Sequence, residues 1–382
     1  MLSVSAQVKA IKSSVQLKPL GDSTPSGYGL LWMFLDIVGL CLLRQHQGCI
    51  LCLFKLVFVV LLVLTQVFFM YCCVTFSMAG VPVMPQISNV SVGLISMALW
   101  FSVSRKKIRL DSLIFQIHSL EEVGKREILS LTFAINACFA VTAFIKVVCT
   151  IGYICNMTDK METDYATAII TTKDRNVEMF IRIILSWLAG VVIIFMPVLV
   201  TVLCSSLYFR CSQLLDDFYT DIHQPDGRAG LIRLSQRHRR LFRLTRSVER
   251  RLSPVAFMLF GSQVLNMFVG LSAFATHFFP PATMWQCVPS LTIVPATVLA
   301  LTLSASRISS KARDIRASLQ SVRHVLVSKQ KVEWESVALV ESMLETSFPT
   351  MTACRVVELQ PKLILSVFGS LFTYGFLIIN MK

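Results

Sequence analysis

The amino-acid sequence predicts an all-α, polytopic membrane protein with seven transmembrane helices, a cytoplasmic N-terminus and an extracellular C-terminus. The first observation is composition: 54% of the 382 residues are hydrophobic and only 15% are charged, whereas a soluble domain has roughly a quarter charged residues. The second is a set of seven apolar stretches long enough to cross a bilayer. The third is an excess of Lys and Arg in alternate connections between those stretches. Together they exclude a water-soluble globule.

Residues 1–51 are predicted to form a cytoplasmic N-terminus with an interfacial helix. The apolar run 28–43 is short for a span, contains Asp36 and is followed at once by Arg44. Such a run is more typical of an interfacial or re-entrant helix than of a membrane-crossing one. The residues before it have no apolar core, so no cleaved signal peptide is expected.

Residues 52–306 are predicted to contain transmembrane helices 1 to 6, and residues 361–382 the seventh. A helix needs roughly 20 apolar residues to cross about 30 Å of hydrocarbon, and seven stretches approach this length. Asp and Glu are absent from all seven, which counts against a proton-coupled transporter. The stretches are 52–77, 88–104, 128–155, 179–209, 254–279, 288–306 and 361–381, and the charged residues inside them are Lys55, Lys146, Arg182 and Lys362.

The distribution of basic residues predicts the orientation of the helices. The formal net charge is +14, and 28 of the 36 Lys and Arg fall in the connections on one side, against four on the other. The positive-inside rule places the basic side in the cytoplasm, so the charge indicates cytoplasmic loops and not a nucleic-acid partner. Sequons beginning at Asn89 and Asn156 fall on the outer side and are glycosylation candidates. G-protein-coupled receptors have the opposite orientation and motifs that this chain lacks, so that class is a poor candidate.

Two cytoplasmic segments, 210–253 and 307–360, are predicted to extend the membrane helices into water. Neither Gly nor Pro interrupts 231–253 or 296–348, and apolar residues recur there at helical spacing, so we expect amphipathic helices that pack into a bundle. The Arg-rich run in the first segment either contacts anionic head groups as a topology signal or binds a regulatory lipid or a calmodulin-like partner. The apolar residues are Leu241, Leu244, Val248, Leu252, Ile308, Ile315, Leu319, Val322, Leu326, Val337, Val340, Leu344 and Phe348.

The last span has a polar stripe. Ser366, Ser370, Thr373 and Asn380 recur at steps of four, three and seven, and Leu377 fills the place between the last two. Residues with this spacing share one helical face. In a membrane, such a stripe either forms hydrogen bonds between helices or faces a water-filled path.

The same span ends in a short motif. Thr373 and Tyr374 are followed by five residues and then by Asn380 and Met381. This resembles the C-terminal signature of the insect gustatory receptors, a family related to the insect odorant receptors, in which Thr-Tyr is followed after five residues by Gln-Phe. Asn and Met stand here in place of the last pair. Upstream, Met-Thr-Ala-Cys at 351–354 is similar to the family's Phe-Thr-Ala-Cys, and the length, inverted orientation and long cytoplasmic helices are similar as well.

The resemblance implies an insect chemoreceptor-like fold and a ligand-gated, non-selective cation channel of the plasma membrane, opened by a small-molecule tastant. In that family four subunits, identical or of several gustatory receptor types, surround a pore lined by the seventh helix. The constriction corresponds to Leu377 and the pore-facing Gln to Asn380, and 307–360 corresponds to the anchor between subunits. Permeant cations and membrane lipids are the other implied partners, and a sensory neuron dendrite is the implied location.

Seven side chains in the outer halves of the helices are candidates for the ligand pocket, because they are charged, polar or aromatic groups at membrane depth. Each has an alternative role in packing, in anchoring at the membrane interface or in reaching the head groups. They are Phe144, Lys146, Tyr153, Arg182, Trp187, Phe274 and His277.

Other functions stay open. An auxiliary chemoreceptor subunit that does not conduct would fit the altered Asn380 and Met381 ending, a heptahelical receptor would signal through a cytoplasmic partner, and a secondary transporter would need an internal repeat that is not recognisable here. No catalytic or metal-binding motif is recognisable either, so no enzyme activity, metal or cofactor is expected. Nothing in the sequence selects among sugars, bitter compounds and carbon dioxide as ligands.

Overall fold

The structure is a computed structural model that describes residues 49–78, 83–120, 125–156, 175–223, 227–276, 281–328 and 334–380. Within them the chain forms nine α-helices, a short π-helical segment and one β-hairpin. The expected interfacial helix at 28–43, His277 and Met381 lie outside the described residues. In chain order the elements are α1 (Cys49–Met78), α2 (Val83–Leu120), α3 (Lys125–Cys155), α4 (Arg175–Gly190), the π segment (Val191–Phe195), α5 (Met196–Ile222), α6 (Gly227–Thr276), α7 (Pro281–Ser328), α8 (Trp334–Glu345), β1 (Thr352–Ala353), β2 (Val357–Glu358) and α9 (Pro361–Asn380).

Several helices are apolar enough to cross a membrane. By length and composition, four helical stretches among the described residues meet that condition, and α1 and α9 contain shorter apolar stretches. All seven spans expected from the sequence fall on helical residues wherever the structure describes them. The number of crossings and their orientation stay predictions. The four long stretches are Asn136–Cys155, Met179–Ile222, Arg228–Phe274 and Cys287–Ser328.

Two helices continue far beyond the length of a span. α6 has 50 residues and α7 has 48, so each is one continuous helix with a charged half and an apolar half. Pro254 lies inside α6, and Pro289 and Pro295 lie inside α7, but none of them ends its helix. α7 does end at Ser328, and α8 begins at Trp334, a division that no Gly or Pro in the sequence indicated.

The charged halves of α6 and α7 pack with α5 and α8 into a bundle. The stripe Leu241, Leu244, Val248 and Leu252 of α6 is buried, and Phe218 of α5 is fully buried beside it. All of them belong to one hydrophobic core, so the apolar stripes pack together, while the cytoplasmic location of this bundle stays a prediction. Its other members include Tyr208, Ile308, Ile315, Leu319, Val340 and Met343.

A β-hairpin joins α8 to α9. β1 and β2 pair antiparallel, and Cys354 and Arg355 form the turn between them with φ angles of 52° and 61°. The Val356 N–H donates to the Ala353 carbonyl at 3.0 Å and closes the turn. Turns with two positive φ angles favour Asn and Gly, because other side chains are strained there. Since neither residue occurs in this turn, the sequence pattern did not predict the hairpin.

Candidate functional site

One face of α9 packs against the subunit. Val367, Phe368 and Leu371 contact a buried cluster that includes Met267 of α6 and Val298 of α7. Further along, the ring of Tyr374 lies 4.6 Å from the ring of Phe268. A Cβ on Gly375 would lie 3.1 Å from the Leu271 side chain, so the missing side chain lets α9 approach α6 closely. The signature residue Tyr374 therefore holds α9 against α6.

The opposite face of α9 is open in the subunit and carries the polar stripe. Ser366, Ser370 and Thr373 are exposed, and Leu377 is 54% exposed. The hydroxyls of Ser370 and Thr373 donate to backbone carbonyls one turn earlier, at 2.8 Å each. Both hydroxyl protons are thus used inside α9, and neither hydroxyl bonds to another helix among the described residues. The side chain of Asn380 lies outside what the structure describes.

A second candidate site surrounds Lys146 on α3. Its side chain is buried, and its ammonium group donates to the Ser186 hydroxyl of α4 at 3.3 Å. A Cβ on Gly190 would lie 3.2 Å from the Lys146 Cε, so this glycine makes room for the lysine. Tyr153, one of the expected pocket residues, is buried on the same side of α3. Lys146 and Tyr153 line a common cavity, together with Cys149, Thr150, Ile183 and Ser186.

Three residues at this site were not singled out from the sequence. Ser186 and Gly190 are four positions apart on α4, a small-residue spacing that often marks close helix contacts in membranes and could have revealed them. Trp285 of α7 covers α3 at Gly152, where a Cβ would lie 2.4 Å from the indole ring. No local pattern indicates that contact, because it joins residues far apart in the sequence.

The expected pocket residues Phe144, Trp187 and Phe274, whose side chains the structure describes, do not line this cavity. Trp187 stacks on Phe195 of the π segment with 6.5 Å between ring centroids. Phe144 is 68% exposed, and Phe274 is exposed near the end of α6. Among the glycosylation candidates, Asn156 is exposed at the end of α3, where its amide donates to the Gly152 carbonyl at 2.8 Å. The side chains of Arg182 and Asn89 lie outside what the structure describes.

Buried polar side chains connect the helices of the apolar region. Gln263 of α6 donates from Nε2 to Thr201 of α5 at 3.0 Å and to Thr297 of α7 at 2.8 Å. The hydroxyl of Ser290 on α7 donates to Asn266 on α6 at 2.9 Å. Such interhelical hydrogen bonds are a common means of holding membrane helices together. α6 and α7, which pack against α9, are therefore hydrogen-bonded to each other and to α5 through side chains that the sequence analysis did not identify.

Comparisons with known proteins connect this geometry to a family. Residues 87–382 match the family model of the 7tm chemosensory receptors. The structures of the insect olfactory receptor OR5 from Machilis hrabei, alone and in complex with eugenol, align with TM-scores of 0.63 over 93% of this chain and 100% of that chain, at 14% sequence identity. No curated protein sequence matches significantly. At that identity the structural match shows a shared fold. The family model covers most of the chain, and the chain therefore belongs to the insect chemosensory receptor family, which includes receptors of the gustatory and olfactory types.

Proposed function

We propose that the chain is a gustatory receptor, a subunit of a ligand-gated, non-selective cation channel opened by a small-molecule tastant. The observation that carries this proposal is the open face of α9. Ser366, Ser370, Thr373 and Leu377 are left uncovered on a helix whose other face is well packed. A hydroxyl-bearing face at membrane depth suits a water-filled path better than it suits lipid.

Four copies of α9 around a central axis would place this face on a pore. Four Leu377 side chains meeting at the axis would form an apolar ring that expels water, and an ion would lose its hydration there without replacement ligands. That arrangement is a closed gate. Ligand binding would favour the arrangement in which the hydroxyls of Ser370 and Thr373 and the amide of Asn380 replace the ring. Hydrated cations would then pass.

The terminal signature supports the gustatory assignment over the olfactory one. Thr373 and Tyr374 keep the gustatory pattern, and Tyr374 packs on Phe268 as a helix-positioning residue. Asn380 is one methylene shorter than the Gln of that pattern, so its ring in a tetramer would be wider. We expect a conductance or ion selectivity that differs from receptors that carry Gln there.

The ligand site belongs in the bundle around Lys146. OR5, which has this fold at low sequence identity, has been solved in complex with eugenol, so a bundle of this kind can accept a small organic molecule. The cavity lined by Lys146 and Tyr153 lies between α3 and α4, in the half of the subunit that the charge distribution places outside. A tastant bound there would change the packing of α4 and of the helices that continue from it.

The proposal includes location and orientation. The family and its apolar helices make this a membrane protein, and we place it in the plasma membrane of a sensory neuron dendrite with the C-terminus outside. An epitope tag after Lys382 should be stained on intact cells. Staining only after permeabilisation would contradict the inverted orientation and favour a heptahelical receptor that signals through a cytoplasmic partner.

The decisive experiment uses Leu377→Ala in the full chain, expressed alone in a cell line. Because the variant removes the apolar ring, we expect a larger resting cation current and a weaker dependence on tastant, measured by patch clamp and calcium imaging. Phe376→Ala is the matched control, since Phe376 is also exposed on α9 but lies beside the stripe. Surface expression is measured for both. Unchanged resting current in a Leu377→Ala receptor that reaches the surface would overturn the gate.

An auxiliary subunit that does not conduct is the second candidate, because the last signature pair is altered. If the wild-type chain alone gives no current, the double variant Asn380→Gln and Met381→Phe restores the last pair of the signature. A current in this variant would show that the altered pair alone prevents conduction. Current only on co-expression with a second gustatory receptor would support the auxiliary role.

A further inference from the structure

Lys146 is a buried lysine inside one of the predicted spans. Its side chain is 5% exposed, and the one hydrogen bond of its ammonium group among the described residues goes to the Ser186 hydroxyl at 3.3 Å. That distance is long for a hydrogen bond, and the partner is neutral. None of the seven apolar stretches contains Asp or Glu. Among the described residues Lys146 has no carboxylate partner, and a buried charge without a counter-ion is costly, so this position favours an anion.

The hydrogen-bonding capacity around Lys146 matches a carboxylate. An ammonium group has three donors, and a hydroxyl that accepts one hydrogen bond still has its own proton to donate. Ser186 can therefore accept from Lys146 and donate to a further acceptor. Thr150 is not available, because its hydroxyl donates to the Lys146 backbone carbonyl at 2.8 Å. Donors from α3 and α4 thus converge on one place, and the two oxygens of a carboxylate can accept from both.

The space beside the ammonium group selects for size. The cavity lined by Lys146, Ser186 and Ile183 has a volume of about 10 Å³, at most room for a single water molecule. α4 approaches α3 closely here because Gly190 has no side chain. The cavity must widen for any organic ligand, and a short, unbranched one would require less movement of Ile183 and of α4 than a bulky one.

We propose that Lys146 binds the carboxylate of a short-chain carboxylic acid and that Ser186 completes the site. This rests on the proposed function, since it names the ligand class of the same receptor. The acid binds as its anion, through hydrogen bonds and the charge of the ammonium group, and no covalent bond forms. The bound carboxylate would lie beside Gly190, immediately before the π segment that begins at Val191. π segments are frequent at functional sites, and this one continues into α5 and the cytoplasmic bundle.

The test compares butyrate with 1-butanol, which has the same carbon chain but no charge, at a fixed pH of 7. Thermal unfolding of the purified, full-length receptor in detergent is measured with each compound, and cell currents are recorded in parallel. We expect butyrate, and not 1-butanol, to raise the melting temperature and to activate the wild-type receptor. Lys146→Met should raise the butyrate concentration needed for either effect at least tenfold. Lys311→Met, which replaces a half-exposed lysine of α7 paired with Asp216, should leave both responses unchanged.

Other outcomes overturn the proposal. It fails if butyrate and 1-butanol act alike, if butyrate has no effect on the wild-type receptor, or if Lys146→Met keeps the wild-type response. Chloride giving the same stabilisation as butyrate would replace the carboxylate with a bound inorganic anion. If Lys146→Met does not fold, Ser186→Ala serves as the second variant, and a butyrate response unchanged in Ser186→Ala would count against the site.

The two readouts separate this proposal from the proposed function. A butyrate-dependent, Lys146-dependent shift in melting temperature without any current would support the site and contradict channel activity of the chain alone. A current that neutral tastants activate and butyrate does not, with no shift in melting temperature, would support the channel and overturn the carboxylate site.

Discussion

The hydroxyl of Thr352 donates a 2.9 Å hydrogen bond to the carboxylate of Glu249, and this contact joins the hairpin before α9 to the middle of α6. Glu249 is buried. The Cys354 N–H adds a second connection by donating to the Ser253 carbonyl at 3.3 Å. Because α9 follows the hairpin directly, these contacts fix where α9 begins relative to α6.

Thr352→Val should therefore destabilise the receptor. Valine has the shape of threonine but cannot donate, so the buried Glu249 carboxylate loses a hydrogen bond, which costs about 1–3 kcal/mol. The measurement is thermal unfolding of the purified receptor in detergent. Thr350→Val is the control, because Thr350 is exposed two positions earlier and should have little effect. Equal losses in the two variants would contradict the role of the Thr352 hydroxyl.

His238 makes the stability of the helical bundle formed by α5, α6, α7 and α8 depend on pH. The side chain is 1% exposed, and its ring lies 4.8 Å from that of Phe348 and 5.7 Å from that of Phe218. Burial, together with the charge of Arg239, lowers the pKa of His238 from 6.5 to about 4. Between these two values the unfolded chain binds a proton that the folded chain does not, so the free energy of unfolding falls as the pH is lowered through this window.

The expected loss between pH 7 and pH 5 is about 2 kcal/mol from this residue alone. His238→Leu should remove it, so the variant should lose less stability than the wild-type receptor over the same range, as measured by thermal unfolding at each pH. His324→Leu replaces an exposed histidine of α7 and should keep the wild-type pH dependence. An unchanged pH dependence in His238→Leu would show that other groups cause it.

The class of fold was predictable because its signals are one-dimensional. Apolar length, the spacing of Leu241 and Val248 and the alternation of basic connections can each be read along the chain, and the structure places the apolar stripes in one core. The contact between Lys146 and Ser186 joins residues 40 positions apart, so no local pattern contains it. Helical spacing grouped Ser370 and Thr373 on one face, but spacing within one helix carries no information about what covers that face.

Replacing Gln66 should stabilise the receptor, whereas replacing Thr352 should destabilise it. Its side chain is 0% exposed, and within the part of the chain that the structure describes neither its amide nitrogen nor its oxygen has a hydrogen-bond partner. A buried, unpaired amide costs about 1–3 kcal/mol, so Gln66→Met should raise the melting temperature. Gln263→Met is the control and should lower it, because the Gln263 amide nitrogen donates to Thr201 and Thr297 and only its oxygen is without a partner among the described residues.

The cavity next to Gln66 provides the outcome that would contradict this prediction. It is lined by Gln66, Met97, Trp100 and Val192, among others, and has a volume of about 20 Å³, enough for one water molecule. A drop in stability of Gln66→Met would show that the amide binds a water or another small molecule there.

Two glycines of α9, Gly369 and Gly375, differ in the space available for a side chain. Alanine substitutions at these positions can therefore distinguish an effect on helix stability from an effect on helix position. No atom of the described residues lies within 4 Å of a Cβ at Gly369, whereas a Cβ at Gly375 would lie 3.1 Å from Leu271. Alanine favours a helix over glycine by about 1 kcal/mol, so Gly369→Ala should stabilise the receptor in thermal unfolding by up to that amount. Gly375→Ala has the same helix preference but must push Leu271 away, so it should stabilise less. Because Gly375 lies between Thr373 and Leu377, a displaced α9 should also change the resting current of the proposed channel. Gly375→Ala with wild-type current would show that this contact does not position the proposed gate.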